Sequence, residues 1–346
     1  MTGVAEARGA ASAAAAPLIS LRGVRVMRAG RAALDGVDFQ VRRGECVAVL
    51  GPNGAGKSTL LRVLSLIDAP TDGTVAWDGL EASQDRLAAR RRIATVAQEP
   101  FLFAGSALDN VTEGLRYRGV PRDEAERRAE QALAACGASA FSGRRARELS
   151  GGEARRVAIA RAIATGPELL LLDEPLAHVD ERTGEDLLAL FASFPPRGTA
   201  VIVATHELSE AVRIAGRVFA LRAGKCDPGG AQNLLLGDVR EENGMHWFLH
   251  ASGVRLAVAT TRTGRAGARV EPEEILLSTE PIHSSARNCL AGTVVGVEAG
   301  EVVTRVRVDV GVPVVAHVTP QSVKEMAMST GSRVYVTFKA TAVRVV

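Results

Sequence analysis

A chain of 346 residues with a formal net charge of +3 is too long for one ordinary core and too nearly neutral for a nucleic-acid partner. Hydrophobic content of 47% against 23% charged residues places it among globular chains, and 4% aromatic residues leave Ala, Val and Leu to build the cores. No segment approaches the roughly 18 continuous apolar residues that mark a membrane-spanning helix, and Cys46, Cys136, Cys226 and Cys289 have no metal-ligand spacing, so they read as reduced thiols.

Met1 to Pro17 is rich in Ala and Gly, interrupted by Glu6 and Arg8, and lacks the ordered pattern of a signal peptide; a disordered tail is expected. From residue 18 to about 225, apolar strands alternate with helical patterns, the signature of a mostly parallel α/β sheet. Leu18 to Glu45 alternates instead like paired antiparallel strands. Cys46–Leu50 is short, apolar and rich in valine, as a buried parallel strand should be. It runs into Gly51, Pro52, Asn53, Gly54, Ala55, Gly56, Lys57, Ser58 and Thr59, a complete GxxxxGK[ST] loop, and then into helical spacing up to Leu66. The glycines let successive N–H groups turn around phosphate oxygens, and the following helix points its positive end at them. Lys57 can reach the β- and γ-phosphates and the Ser58 hydroxyl can join the shell of Mg²⁺, so a nucleoside triphosphate with Mg²⁺ is the expected ligand.

Asp123 to Cys136 reads as a helix that starts with acids after Pro121 and stops at Gly137. The scattered pairs and triplets of arginine, at 90–92, 127–128 and 144–145, read as solvated helix faces. Leu149-Ser-Gly-Gly-Glu153 opens another helix, which would put Ser150, Gly151 and Gly152 at a helix N-terminus, either a cap or an anion site. Leu169–Leu172 runs into Asp173 and Glu174, placing two acids at the carboxyl edge of the sheet beside the phosphate loop. Asp173 suits a water-mediated hold on Mg²⁺, and Glu174 suits polarising the attacking water. A Val-rich strand over Ala200–Ala204 precedes His206, which alone would be read as structural. Composition shifts at Lys225–Gly230, and beyond it short Val-rich runs separated by Gly and Pro describe a small β-barrel or sandwich, with one helical turn near Ser322–Met328.

Residues 18 to about 225 resemble the nucleotide-binding domain of ABC transporters. The loop at 51–59 is similar to Walker A, LLLLDE at 169–174 to Walker B, and LSGGE at 149–153 to the signature motif. Gln98 matches the Q-loop, which in that family touches Mg²⁺ and links to membrane subunits. Asp180 fits the D-loop acid and His206 the switch histidine at the γ-phosphate. The resemblance implies a head-to-tail homodimer with ATP held between Walker A of one copy and Ser150, Gly151 and Gly152 of the other. Glu174 is then the general base, with Lys57 and His206 stabilising the transferred phosphoryl. The chain departs from the family where an aromatic usually stacks on adenine: the stretch here is Val26-Met27-Arg28-Ala29, leaving Arg28 to stack or Met27 to pack.

The segment from about 285 to 346 resembles the Mop/TOBE module, on Ser284-Ser-Ala-Arg-Asn288, Gly292-Thr-Val, Ala316-His-Val-Thr319 with Ser322, and Phe338-Lys-Ala-Thr-Ala-Val343. Glu271-Pro-Glu-Glu-Ile275 resembles the arginine-bearing RPED segment of related importers. For a bound tetrahedral oxyanion the resemblance implies Ser285, Arg287, Thr319, Ser322 and Lys339; the alternative is a barrel that only braces a dimer. The expected fold is α/β, a P-loop NTPase with RecA-like core, antiparallel β-subdomain and helical subdomain, followed by a small all-β OB-like barrel. Its divisions are expected at 1–17 (tail), 18–228 (nucleotide-binding domain), 229–284 (linker and degenerate TOBE half) and 285–346 (barrel). The family implies an importer ATPase for molybdate or tungstate at the cytoplasmic face of the plasma membrane, with two permease subunits and an external binding protein. The stretch from Gln98 to Asn110 also looks like tungstate-type motors. Alternatives are a sugar, sulfate or polyamine importer, or a soluble ABC ATPase, which usually carries two nucleotide domains or coiled insertions.

Overall fold

The computed structural model describes residues 16–177, 179–227 and 232–346. The tail expected over 1–17 therefore falls almost wholly outside the described residues, as does the boundary at 228 and 229.

The chain opens with β1 (Ile19–Arg28) and β2 (Arg31–Val41), followed by β3 (Cys46–Leu50), α1 (Lys57–Leu64), β4 (Asp72–Trp77) and β5 (Leu80–Glu81). Then come α2 (Arg86–Arg91), β6 (Ile93–Val96), α3 (Ala107–Arg116), α4 (Arg122–Ala135), α5 (Gly151–Ile163) and β7 (Leu169–Asp173). The first unit closes with α6 (Glu181–Ala192), β8 (Ala200–Thr205), α7 (Leu208–Ile214), β9 (Arg217–Arg222) and β10 (Lys225–Cys226). As the alternation of Leu18 to Glu45 predicts, β1 and β2 pair antiparallel, in a sheet ordered β2-β1-β4-β5. The other sheet runs β10-β9-β3-β8-β7-β6, parallel from β9 through to β6. β7 and β8 are buried along their whole length, which is why they read as unbroken apolar runs. Their alternate residues serve two cores. Leu169, Leu171 and Ile202 face the antiparallel sheet and α1, while Leu170, Leu172, Val201 and Val203 face the helices α3 to α6.

The tail has β11 (Leu234–Glu242), β12 (Met245–His250), β13 (Arg255–Val258), β14 (Gly264–Val270), β15 (Leu276–Ser278) and β16 (Asn288–Glu298). β17 (Thr304–Asp309), β18 (Pro313–Val318), α8 (Pro320–Glu325), β19 (Arg333–Phe338) and β20 (Val343–Val345) complete it. Two five-stranded sheets, β13-β12-β11-β14-β20 and β15-β19-β16-β17-β18, share one core around Phe248, Val306 and Val336. The segment expected to be a linker and a worn half thus supplies β11 to β15, and the halves interlock: β20 completes the first sheet and β15 the second. Two buried amides stitch the sheets. Asn288 exchanges bonds with Ala257 N and O at 2.7 and 3.0 Å, and Asn233 does the same with Val315 at 2.7 and 2.8 Å.

The tail docks through β14 onto α7. A Cβ at Gly267 would come within 2.7 Å of Val212 Cγ2, so only glycine admits this approach, and Arg265 donates to Ala215 O at 2.8 Å.

Candidate active site

The loop from Gly51 to Gly56 leaves the carboxyl end of β3 and feeds α1, as its spacing predicts. Gly56 makes the entry with φ 105, and a Cβ there would lie 2.6 Å from Ala33 O. Lys57 begins the helix almost wholly buried, its Nζ donating to Gly51 O at 2.8 Å and Pro52 O at 3.3 Å. The same ammonium lies 3.2 Å from Glu174 Oε1.

Asp173 ends β7 beside this loop and Glu174 follows it, each buried. Burial pushes the Asp173 carboxyl above its ordinary range, against an opposing hydrogen bond from Ser58. Its Oδ1 is buried with no hydrogen-bond partner. A hydroxyl and an adjacent carboxylate with a spare oxygen fit the oxygen-only preference of Mg²⁺, which takes one or two protein ligands and completes its shell from phosphate and water.

Glu174 stands in the left-handed region at φ 48, an unusual conformation for a residue with a side chain. Three anchors hold it there: its N–H donates to Ala204 O at 2.9 Å, its carbonyl accepts from Arg155 Nη1, and His206 Nδ1 meets its Oε2 at 2.7 Å. One carboxylate thus bridges Lys57 and His206. Arg155 reaches with Nη2 to Gln98 O as well, tying the segment after β6 to the end of β7. Sequence reasoning missed Arg155; its one signal was an arginine three and four positions before the apolar Ala158 and Ile159, on the same buried face of α5. Asn53, Gly54, Ala55, Gly56, Lys57, Ser58, Thr59, Gln98, Asp173 and Glu174 line one cavity of 430 Å³. That is room for a nucleotide-sized ligand.

The ABC transporter family profile matches residues 34–177, and the TOBE domain profile matches residues 284–345. Over 326 residues the chain is 32% identical to the molybdate/tungstate import ATP-binding protein WtpC of Pyrococcus abyssi, covering 89% of this chain and 94% of that protein. It is 40% identical over 222 residues to the phosphate import ATP-binding protein PstB 2 of Natronomonas pharaonis, covering 60% of this chain and 78% of that one. The chain belongs to the ATP-binding proteins of ABC transporters. Among solved structures, a dimeric bacterial ABC transporter cassette superposes with a TM-score of 0.57 at 32% identity, covering 60% of this chain and 96% of that one. A cassette in a dimeric post-hydrolysis state with ADP and Pi superposes with a TM-score of 0.56, at the same identity and coverage. The chain is an ATPase of the ABC type.

The other signature residues lie apart from the ATP cavity within one copy of this cassette. Ser150 caps α5 in a capping box with Glu153, and neither it nor Gly151 nor Gly152 is on the cavity wall. Asp180 caps α6, accepting from Thr183 N at 3.0 Å, and His178 beside it lies outside the described residues. Arg28 does not stand free over the loop: its guanidinium pairs with Asp68, which also takes a two-pronged hold from Arg62 at 2.8 and 2.9 Å. These arginines, Arg62 foremost, hold the Asp68 carboxyl below its usual range. Met27 beside it is 42% exposed.

In the TOBE region the five oxyanion candidates form two groups. Asn288 pairs with Phe338, so Arg287 and Lys339 lie at one end of the β16–β19 ladder, with Ser285 just upstream. Thr319 and Ser322 are bonded to each other at the cap of α8, 2.8 Å between hydroxyls. That cap follows Val318, whose partner Thr304 lies near the opposite end of β16. One copy does not bring the two groups together.

Proposed function

We propose that the chain is the ATP-hydrolysing subunit of an importer for molybdate or tungstate, working as a head-to-tail dimer under two permease subunits fed by an external binding protein. The observation that carries the cargo class is the match to a molybdate/tungstate import protein across the motor and tail together, 94% of that relative's length. The phosphate import relative covers only 60% of this chain and weighs less.

In this reading Lys57 swings from Gly51 O and Pro52 O to the phosphates, the exchange of neutral acceptors for charged oxygens favouring the move. Glu174, released from Lys57, takes a proton from the attacking water while His206 keeps its Oε2 in place. Ser58, Asp173 and Gln98 would hold Mg²⁺, which would neutralise charge on the phosphate oxygens. Lys57 and His206 then face the charge that develops on the transferred group. The partner's Ser150, Gly151 and Gly152 complete the site and its Asp180 flanks it, which explains why none of them lines the cavity in one copy. Solved relatives that are dimers support this arrangement. Among the described residues no helix is long and apolar enough to cross a membrane, and in this reading permease subunits hold the chain at the cytoplasmic face.

The test is uptake of labelled tungstate, molybdate and phosphate in the native cells carrying Glu174→Gln in place of the normal chain. Loss of tungstate and molybdate uptake with phosphate untouched is expected. Loss of phosphate uptake alone overturns the cargo assignment.

A further inference from the structure

A second cavity, of 610 Å³, lies where the motor meets the tail, and hydrolysis as described above makes no use of it. Gly51, Pro52 and His206 form its motor wall, and Arg269 and Arg305 reach it from the tail, with Arg222 at the end of β9. Arg269 belongs to β14, the strand whose Gly267 meets α7, so the docking of the tail is what carries this guanidinium to the back of the phosphate loop. Its Nε is buried without a hydrogen-bond partner, while a terminal nitrogen reaches Glu271 at 3.3 Å. Arg222 and Arg305 are exposed and make no ion pair with a described residue. Asp227 also lines the wall, Glu271 pairs with Arg269, and Glu207 lies against the His206 ring, so three guanidiniums on three strands stand among three carboxylates. An orphaned, desolvated N–H costs free energy until an acceptor meets it, and guanidinium forks match oxyanions in geometry as well as charge.

We propose that this cavity is a second anion site, taking a doubly charged tetrahedral oxyanion, and that its occupation slows ATP hydrolysis through His206. The imidazole belongs to both cavities: Nδ1 meets Glu174 at 2.7 Å, Nε2 lies 3.4 Å from Glu207 Oε1, and the ring also lines this second wall. An anion between the arginines competes with Glu174 for the imidazole N–H and draws the ring from the carboxylate. The effect on hydrolysis rests on Glu174 being the base; binding does not. Two sources supply this chemistry, the phosphate released by hydrolysis and an oxyanion cargo.

The full-length chain, saturated with a non-hydrolysable ATP analogue so that the γ-phosphate position is filled as well, is titrated by calorimetry with phosphate, sulfate and tungstate. Arg305→Glu, Arg269→Gln and Lys339→Ala are titrated alongside. A single anion per chain is expected, weakened by about tenfold or more in Arg305→Glu and Arg269→Gln and unmoved in Lys339→Ala. Arg305 is exposed, so its variant remains informative even where Arg269→Gln fails to fold. Tightest binding of phosphate assigns the product as ligand, and tightest binding of tungstate assigns the cargo. Isotherms indifferent to both arginines, or abolished only in Lys339→Ala, overturn the site. In parallel the anion slows ATP turnover of the normal chain and not of Arg305→Glu; equal slowing overturns the route through His206. A normal chain that hydrolyses no ATP refutes the proposed function instead, and the titration still judges the site.

Discussion

The left-handed backbone at Glu174, φ 48, lets one short side chain meet Lys57 at 3.2 Å and His206 at 2.7 Å. Glu174→Gln keeps the shape and removes the proton acceptor. It is expected to retain ATP binding while turnover falls by about a hundredfold or more, measured as kcat beside a nucleotide-binding isotherm. Near-normal turnover would remove Glu174 from the base role. Lys57→Ala, in contrast, is expected to weaken ATP binding itself. At Arg28 the pairing with Asp68 leaves the base with no committed stacking partner. Arg28→Tyr is therefore predicted to tighten ATP by about tenfold, one stacked base being worth roughly 1–3 kcal/mol. An unchanged dissociation constant would show that the base does not lie over residue 28.

Element scale is where ion pairs and close contacts set the architecture. Glu168, just before β7, accepts from Arg92 and Arg43, and both arginines also reach Asp78 after β4, so one network joins the two sheets. Arg92 therefore braces the sheets, and does not belong to a solvated helix face. The Arg92 and Arg43 guanidiniums hold the Glu168 carboxyl below its ordinary value of 4.5. A carboxylate depressed in the folded state contributes stability at pH above that ordinary value and loses it as pH falls through the folded one. Acid scans of thermal stability should thus be steeper below about pH 4.5 for the normal chain than for Glu168→Gln. The difference is worth no more than about 1 kcal/mol, because these side chains are about a third exposed. Parallel curves would deny the network a role. Gly267→Val inserts carbon where Val212, Val346 and Leu234 already crowd, and should cost about 1–3 kcal/mol in unfolding experiments.

For the whole molecule the decisive feature is the separation of the Ser150 segment from the phosphate-loop cavity. In a two-fold dimer each site would take its phosphate loop from one chain and its Ser150 from the other. Lys57→Ala and Ser150→Arg chains, each inactive alone, should then recover activity when mixed. A heterodimer carries one fully intact site, so up to about a quarter of normal turnover is expected. No recovery on mixing would mean that each site is built within one chain.

Much of the motor was legible because its chemistry is local. The phosphate loop, the apolar strand running into Asp173 and Glu174, and the helix starting at Ser150 each occupy one short segment whose backbone needs dictate residue types. The tail was less legible. Val-rich runs announce strands but not partners, and pairing β20 with β14 or β15 with β19 depends on contacts between segments distant along the chain. The roles of Asn288 and Asn233 have no local signal, because their partners, Ala257 and Val315, lie on strands of the facing sheet. Arg155 could not be placed either, since its acceptors, Glu174 O and Gln98 O, come from two other strand ends. The sequence alone determined that this chain grips a triphosphate, because a loop of nine consecutive residues carries that grip. Only the tertiary structure decided that Glu174 bridges Lys57 and His206, and that three arginines gather behind the same loop, because burial and charge converge there from strands far apart in the chain.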